Sequence, residues 1–294
     1  ILAIIFLLSL AFNLYLSFSS PYLNNDDSYF NLRVVDNIRS TGLPMFYDNL
    51  SYGGRPLILQ FFFHYLFALL SFVPLYFKIF PSLMISSLVL ICYFIAKEIT
   101  YDETSSLITA FLAGFVPIYS VSLINQFTVY TLVIPLMAFL ILCLIRLDEK
   151  AYFISFILGS FLLSLTHPSS FLLLLVILFY IILMNVEDLK LTKLKKEALI
   201  FIFFLIILID LLFFSRAFFE YGFNVIHGYN PVLYSFNIFQ IFYVMGIVPL
   251  LLGIVGLYQG FFKMKKEPII LTSSLILCIL FLLLFNLIAE FTLL

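Results

Sequence analysis

ALIFIFFLIILIDLLFF, residues 198–214, decides the fold class. Apart from Asp210 every residue in it is apolar. A bilayer core of about 30 Å is crossed by about 20 mostly apolar residues in a helix, which satisfies its own backbone hydrogen bonds where no water can. Comparable runs lie near 1–18, 82–97, 105–122, 128–146, 151–166, 171–186, 238–258 and 268–290. The chain is 64% apolar and 11% charged, against about half and a quarter in soluble domains. Unbroken Leu/Ile/Phe runs exclude a β-barrel, which would alternate over segments of about ten residues. The expectation is an all-α, polytopic membrane protein of about nine spanning helices. It forms one transmembrane domain over 1–294, with no soluble domain. Residues 1–18 carry no charged leader and no cleavage site, so they are expected to be a first span and not a signal peptide. Both ends lie inside apolar runs, as if trimmed or continued.

Residues 57–76 are ambiguous: a short apolar stretch closed by Pro74 that either crosses or lies at the interface. Charge placement chooses between these. If 57–76 does not cross, one face receives ten cations, from Lys97, Arg146 and Lys150 to the run Lys190–Lys196 and Lys263–Lys266. The other face receives five: Arg33, Arg39, Arg55, Lys78 and Arg216. Short loops rich in Lys and Arg stay cytoplasmic. The N-terminus is then cytoplasmic and the long polar loop 21–81 extracytoplasmic. Cys92, Cys143 and Cys278 are scattered through apolar runs and read as small buried hydrophobes.

Within that loop, NNDDSYFNLRVVDNIRSTGLP (24–44) reads as a surface helix. Asp27 is a good N-cap, and Gly42 followed by Pro44 a good stop. Tyr29, Leu32, Val35 and Ile38 form its apolar stripe. A cap would explain Asp27 and solvation Asp26. The functional alternative is a carboxylate at the water–lipid boundary, acting as a general base or binding a metal or amide. Downstream, FYDNLSYGGRP (46–56) places Gly53 and Gly54 where backbone approaches a ligand closely, and Arg55 as a cation suited to phosphate.

These residues carry a resemblance. Asp27-Ser28-Tyr29-Phe30-Asn31-Leu32-Arg33 resembles the first-loop signature of oligosaccharyltransferase catalytic subunits, an acid followed by x-aromatic-aromatic-Asn/His-x-Arg. Tyr47-Asp48 and Ser51-Tyr52-Gly53-Gly54-Arg55 resemble the element that trails it. More broadly the pattern is similar to that of C-type (GT-C) membrane glycosyltransferases. The resemblance implies a GT-C-like module with surface helices in its first outer loop, and a polyprenyl-phosphate-linked sugar as donor. Sugar would pass to a lipid, glycan or protein acceptor on the outer face. It implies Asp27, with Asp26, as the catalytic carboxylates. Arg33, Arg55, Arg216 and His167 would attend the donor's phosphate, and Asp48, Tyr52, Gly53 and Gly54 the acceptor.

Departures narrow this. The family carries an Asp-x-Glu pair in its second outer loop, whereas PIYSVSLINQFTVY (117–130) has no acid, and the chain has no Trp for the family's Trp-Trp-Asp signature. A divalent metal (Mg or Mn) at Asp27 would lack its second acid. A metal-independent transferase using a monosaccharide donor is expected, not a complete oligosaccharyltransferase. Two other classes share the composition: a lipid or solute transporter, and a non-catalytic scaffold with a membrane-protein partner. Membrane lipid is a partner in every case, and no nucleic acid is expected. Asp210 reads as functional or as a structural partner of Arg216. His64 reads as a satisfied or interfacial histidine, and His227 in the loop 215–237 as a solvated one.

Overall fold

The computed structural model describes residues 1–50, 53–117, 119, 123–187, 193–221, 246–263 and 272–277. Among these residues all regular structure is helical, apart from one small hairpin. In chain order come α1 (Leu2–Phe18), α2 (Asp26–Thr41), β1 (Tyr47–Asp48), β2 (Arg55–Pro56), α3 (Phe62–Leu70), α4 (Tyr76–Thr100) and α5 (Glu103–Gly114). Then follow α6 (Tyr130–Ile145), α7 (Lys150–Thr166), α8 (Ser170–Val186), α9 (Lys193–Tyr221) and α10 (Ile247–Lys263). Two stretches among the described residues, Tyr76–Thr100 and Lys195–Ser215, are long and apolar enough to cross a membrane. The other apolar helices, such as α1 and α6, are shorter.

Helices replace most of the apolar runs, with two shifts. The run read as 105–122 stops at Gly114. Pro117 lacks an N–H and pushes the residue before it out of helical backbone, so the helix cannot run on. Gly114 also lets α5 sit against α4 and α1: a Cβ there would meet Val89 and Ser9. The run read as 82–97 begins earlier, at Tyr76, and takes Pro81 into its second turn. α3 has nine residues, about 14 Å at 1.5 Å per residue, which is half the thickness a crossing requires. Most of the run 268–290 lies outside the described residues, as does the first part of 238–258.

Three clusters hold the fold. α6 to α9 enclose the largest, around Leu140, Phe156, Leu163, Ile177, Met184 and Ile202. A smaller one joins α1, α4 and α5 through Ile5, Val89, Tyr93 and Ala110. The third lies beneath α2 and α3, where Val35, Phe63, Phe67 and Tyr76 surround Phe127. Phe127 meets Phe67 edge-on at 4.8 Å and Phe63 at a tilt at 5.2 Å between centroids.

α1 is arranged inside out. It buries Ile5, Ser9, Asn13 and Ser17 and exposes Ile4, Leu7, Leu8 and Phe12. Asn13 donates to Ser86 Oγ of α4 at 2.8 Å, and Ser9 to the Gly114 carbonyl at 3.2 Å. Small and polar residues inward with apolar residues outward is the pattern of helix contacts in lipid.

Candidate functional site

α2 begins two residues earlier than its sequence implies. Asn25, not Asp27, is the N-cap, and its Oδ1 accepts the Asp27 N–H at 3.2 Å. Asp26 and Asp27 therefore occupy the first turn, both exposed, where the helix dipole favours negative charge. Neither is needed as a cap. Gly42, at φ 73°, closes the helix in left-handed backbone. Asp27 stands on the wall of a cavity of ≈ 340 Å³, facing Tyr119, Leu123, Gln126, Thr128 and Tyr130. The loop between α5 and α6 supplies that opposite wall. Burial pushes the Tyr119 hydroxyl up to about 12, so it stays protonated.

A seam of hydrogen bonds fastens this second loop to the first. Asn24 N–H donates to the Asn125 carbonyl (3.1 Å), and Asn125 Nδ2 to the Tyr22 carbonyl (2.7 Å). Phe127 N–H donates to Ser28 Oγ (2.9 Å), and Asn31 Nδ2 to the Phe127 carbonyl (3.0 Å). Asn31 Oδ1 then meets His64 Nε2 at 2.9 Å. Because the amide's donor end is already engaged, its oxygen faces the imidazole, and His64 must carry its proton on Nε2. Burial lowers the His64 pKa to about 4, so the ring is neutral at ordinary pH. Its Nδ1 is buried and has no partner among the described residues. Nothing in the sequence marks this seam, since it joins residues about a hundred positions apart.

On the other side of the seam lies a second cavity, ≈ 230 Å³, walled by Asn31, Gln60, His64, Thr166, His167 and Phe214 among others. The Tyr130 ring, on the first cavity, packs edge-on against His167, on the second, at 5.0 Å. His167 closes α7, and its Nδ1 accepts the Ser169 N–H at 3.1 Å. Burial lowers its pKa as well. Asp210 is fully buried nearby and accepts from Ser170 Oγ at 2.7 Å and Gln60 Nε2 at 3.2 Å. It thus pairs with neutral groups on α8 and the first loop, a contact that sequence proximity to Arg216 does not foretell. Gln60 also donates to the Ser164 carbonyl at 2.7 Å, drawing the chain before α3 down against α7 and α9.

The remaining first-loop residues support one another. Arg33 pairs with Asp48 at 2.8 Å, and Asp48 is almost wholly buried. Asp48 also accepts the Leu50 N–H at 3.0 Å, bracing the hairpin in which β1 pairs with β2. Gly53 and Gly54 both have positive φ, and the Tyr47 ring lies so close over Gly54 that a Cβ there would collide with it. Turn geometry and the Tyr47 ring thus account for both glycines without a ligand. Tyr52 and His227 lie outside the described residues, as do the side chains of Arg55 and Arg216.

Among the described residues no group of three or more His, Cys, Asp or Glu side chains assembles that could hold a metal ion. Around Asp27 the donors are amides and hydroxyls of Asn25, Gln126 and Thr128. Hard divalent cations take several oxygen ligands, usually with more than one carboxylate. The second loop contributes none, so these residues do not build a divalent site by themselves.

No protein-family model matches the sequence, and no curated protein does. The fold is similar to that of the oligosaccharyltransferase of Archaeoglobus fulgidus, whose crystal structure is of a complex with zinc and sulfate. The two share a TM-score of 0.57 and 15% identity, over 97% of this chain and 40% of the other. The chain thus spans less than half the length of that structure and has an oligosaccharyltransferase-like fold.

Proposed function

We propose that this chain is a multi-pass membrane glycosyltransferase of the C type, working on the outer face with a polyprenyl-phosphate-linked sugar as donor. The outward apolar faces of α1 and its neighbours lie in lipid, the N-terminus is cytoplasmic, and the first loop is extracytoplasmic. One observation carries the reading: on an oligosaccharyltransferase-like fold, Asp27 stands exposed on a cavity wall while a neutral second loop closes the other side. A lone carboxylate at a water–lipid boundary suits proton abstraction from an acceptor hydroxyl.

In this mechanism Asp27 takes the proton of the acceptor hydroxyl as its oxygen attacks the anomeric carbon. The bond from that carbon to the phosphate oxygen breaks, and polyprenyl phosphate leaves with the electron pair. Asp26, beside it in the first turn of α2, adds negative charge next to the base. Arg55 and Arg216 are the cations assigned to the leaving phosphate, where a guanidinium fork is most effective. Arg33, engaged by Asp48, holds the loop in which Asp27 stands. His167 borders the donor side. The acceptor is a hydroxyl of a lipid, glycan or protein, met beside the hairpin of Asp48, Tyr52, Gly53 and Gly54.

The test is sugar transfer from a labelled polyprenyl-phosphate monosaccharide by purified protein in liposomes. Asp27→Asn should lower the rate by about 10²–10⁴-fold, the usual worth of a general base. Undiminished transfer by a folded Asp27→Asn protein overturns the assignment.

A further inference from the structure

α2 and α3 pack together but turn different surfaces outward. α2 exposes Asp26, Asp27, Asp36 and Arg39. From Pro56 to Phe77 the chain carries no Asp, Glu, Lys or Arg. The end of α3 and the turn into α4 expose Leu69, Phe72, Pro74 and Leu75, with Leu69 at 74% and Phe72 at 77%. Single exposed apolar residues are ordinary, whereas a cluster of them with no charge nearby in sequence marks an interaction surface. Leu75 adds a second sign. Its φ of 56° is left-handed backbone, which glycine adopts freely and leucine only under strain. The fold there asks for glycine, and the chain presents an exposed leucine.

The position of this corner selects its partner. Three residues beyond Leu75, the Lys78 ammonium donates to the Ser17 carbonyl at 2.9 Å and to the Ser20 carbonyl, and it lies over the Phe18 ring. The corner therefore stands about one helical turn from the C-terminal end of α1. Tyr15, Phe18 and Tyr22 are exposed around that end, as aromatic residues are where a helix leaves the bilayer. From the corner the apolar surface runs on along α4, where Ile79 is half-buried and Leu83 exposed at helical spacing from Leu75. A protein-binding patch has a polar rim around its apolar centre. This one merges with the apolar flank of a helix long enough to cross the membrane.

We propose that Leu69, Phe72 and Leu75 form a lipid anchor, seated in the outer leaflet where headgroups meet acyl chains. α3 is then a helix that dips into the membrane surface without crossing it. α2 is fastened to α3 through His64 and Asn31, and at its C-terminal end through the Tyr65 hydroxyl, which donates to the Gly42 carbonyl at 3.2 Å. The anchor thus holds both helices against the bilayer, with the charged face of α2 left in water. The inference rests on the membrane reading of α1 proposed above, and not on the transferase chemistry.

The chain has no tryptophan, so one introduced Trp is a clean reporter. Phe72→Trp and Leu69→Trp report on the corner, Leu8→Trp on the outward face of α1 and Ser40→Trp on the end of α2; all four side chains are exposed, so none of the changes disturbs packing. The full chain is reconstituted in phosphatidylcholine vesicles, plain or brominated at a chosen depth along the acyl chains. Phe72→Trp and Leu69→Trp should lose most of their emission to bromine placed about 5–10 Å below the headgroups and resist iodide in the water. Ser40→Trp should show the reverse, and Leu8→Trp should be quenched best by deeper bromine. Iodide quenching of Phe72→Trp equal to that of Ser40→Trp puts the corner in water. Shielding of Phe72→Trp from both quenchers puts it against protein. Either result overturns the anchor, while bromine quenching of Leu8→Trp leaves the membrane reading standing. Failure of bromine to reach Leu8→Trp overturns that reading and the anchor with it.

Discussion

α1 and α2 are nearly the same length, seventeen and sixteen residues, and follow one another in the chain, yet they turn opposite kinds of residue outward. α1 turns Ser9, Asn13 and Ser17 inward and Leu7, Leu8 and Phe12 outward. α2 does the reverse for most of its length, burying Val34, Val35 and Ile38 and exposing Asp26, Asp27, Asp36 and Arg39. The two polar residues α2 does bury, Ser28 and Asn31, are those that fasten the second loop. In both helices a buried polar side chain therefore marks a junction. With α1 in lipid, as proposed, what differs is the medium on the far side. In lipid the outward face is selected for apolarity and the junction must be polar; in water the outward face is free to carry charge, and with it chemistry.

The contrast is broken most forcefully by charge. Leu8→Asp puts an acid on the outward face near the middle of α1, where transfer from the Leu to the Asp preference costs about 3–4 kcal/mol. Ser40→Glu on the exposed end of α2 should cost no more than about 1 kcal/mol. Membrane-insertion efficiency of the first helix and unfolding of the purified protein measure the two. Equal costs would mean that both helices face water.

Acid titration comes next. His64 has its pKa lowered from 6.5 to about 4, so its neutral form is the one the native state favours. Stability from this group is whole above 6.5 and is lost as pH falls through that value towards about 4, amounting to about 3 kcal/mol when complete. Urea unfolding at a series of pH values should show this loss, and His64→Gln should flatten it. The Asn13–Ser86 contact between α1 and α4 uses an amide and a hydroxyl and should not respond over the same range.

The smallest effect sharpens the comparison. Asn13→Ala removes one interhelical hydrogen bond to Ser86, worth about 0.6 kcal/mol on average within membrane bundles. Asn31→Ala, which leaves both the Phe127 carbonyl and the His64 N–H without partners, should cost several times more in the same unfolding assay. Parity between them would remove the special standing given to the seam.

The helices were legible in the sequence wherever apolarity alone dictates them, as over 198–214, and so was the C-terminal end of α2, where Gly42 stops the helix as its position before Pro44 implies. Asp27 was legible as a residue of interest but misplaced as a cap, because Asn25 offers the same side-chain acceptor two residues earlier. Gly53 and Gly54 answer to a hairpin and an aromatic ring, which a linear reading cannot distinguish from room for a ligand. His64, Gln60 and Asp210 carried no local signal of their partnership. Their partners lie 33, 104 and 40 positions away, and only the packed fold joins them.

The seam fastens the second loop largely through main-chain atoms: the N–H and carbonyl of Phe127 and the carbonyl of Asn125. Gln126 and Thr128, which alternate with these positions, line the Asp27 cavity instead. Mutational drift at 126 and 128 can therefore remodel what the cavity selects while the fastening stays the same. Descendants of this chain are free to change clientele without first having to relearn how to fold.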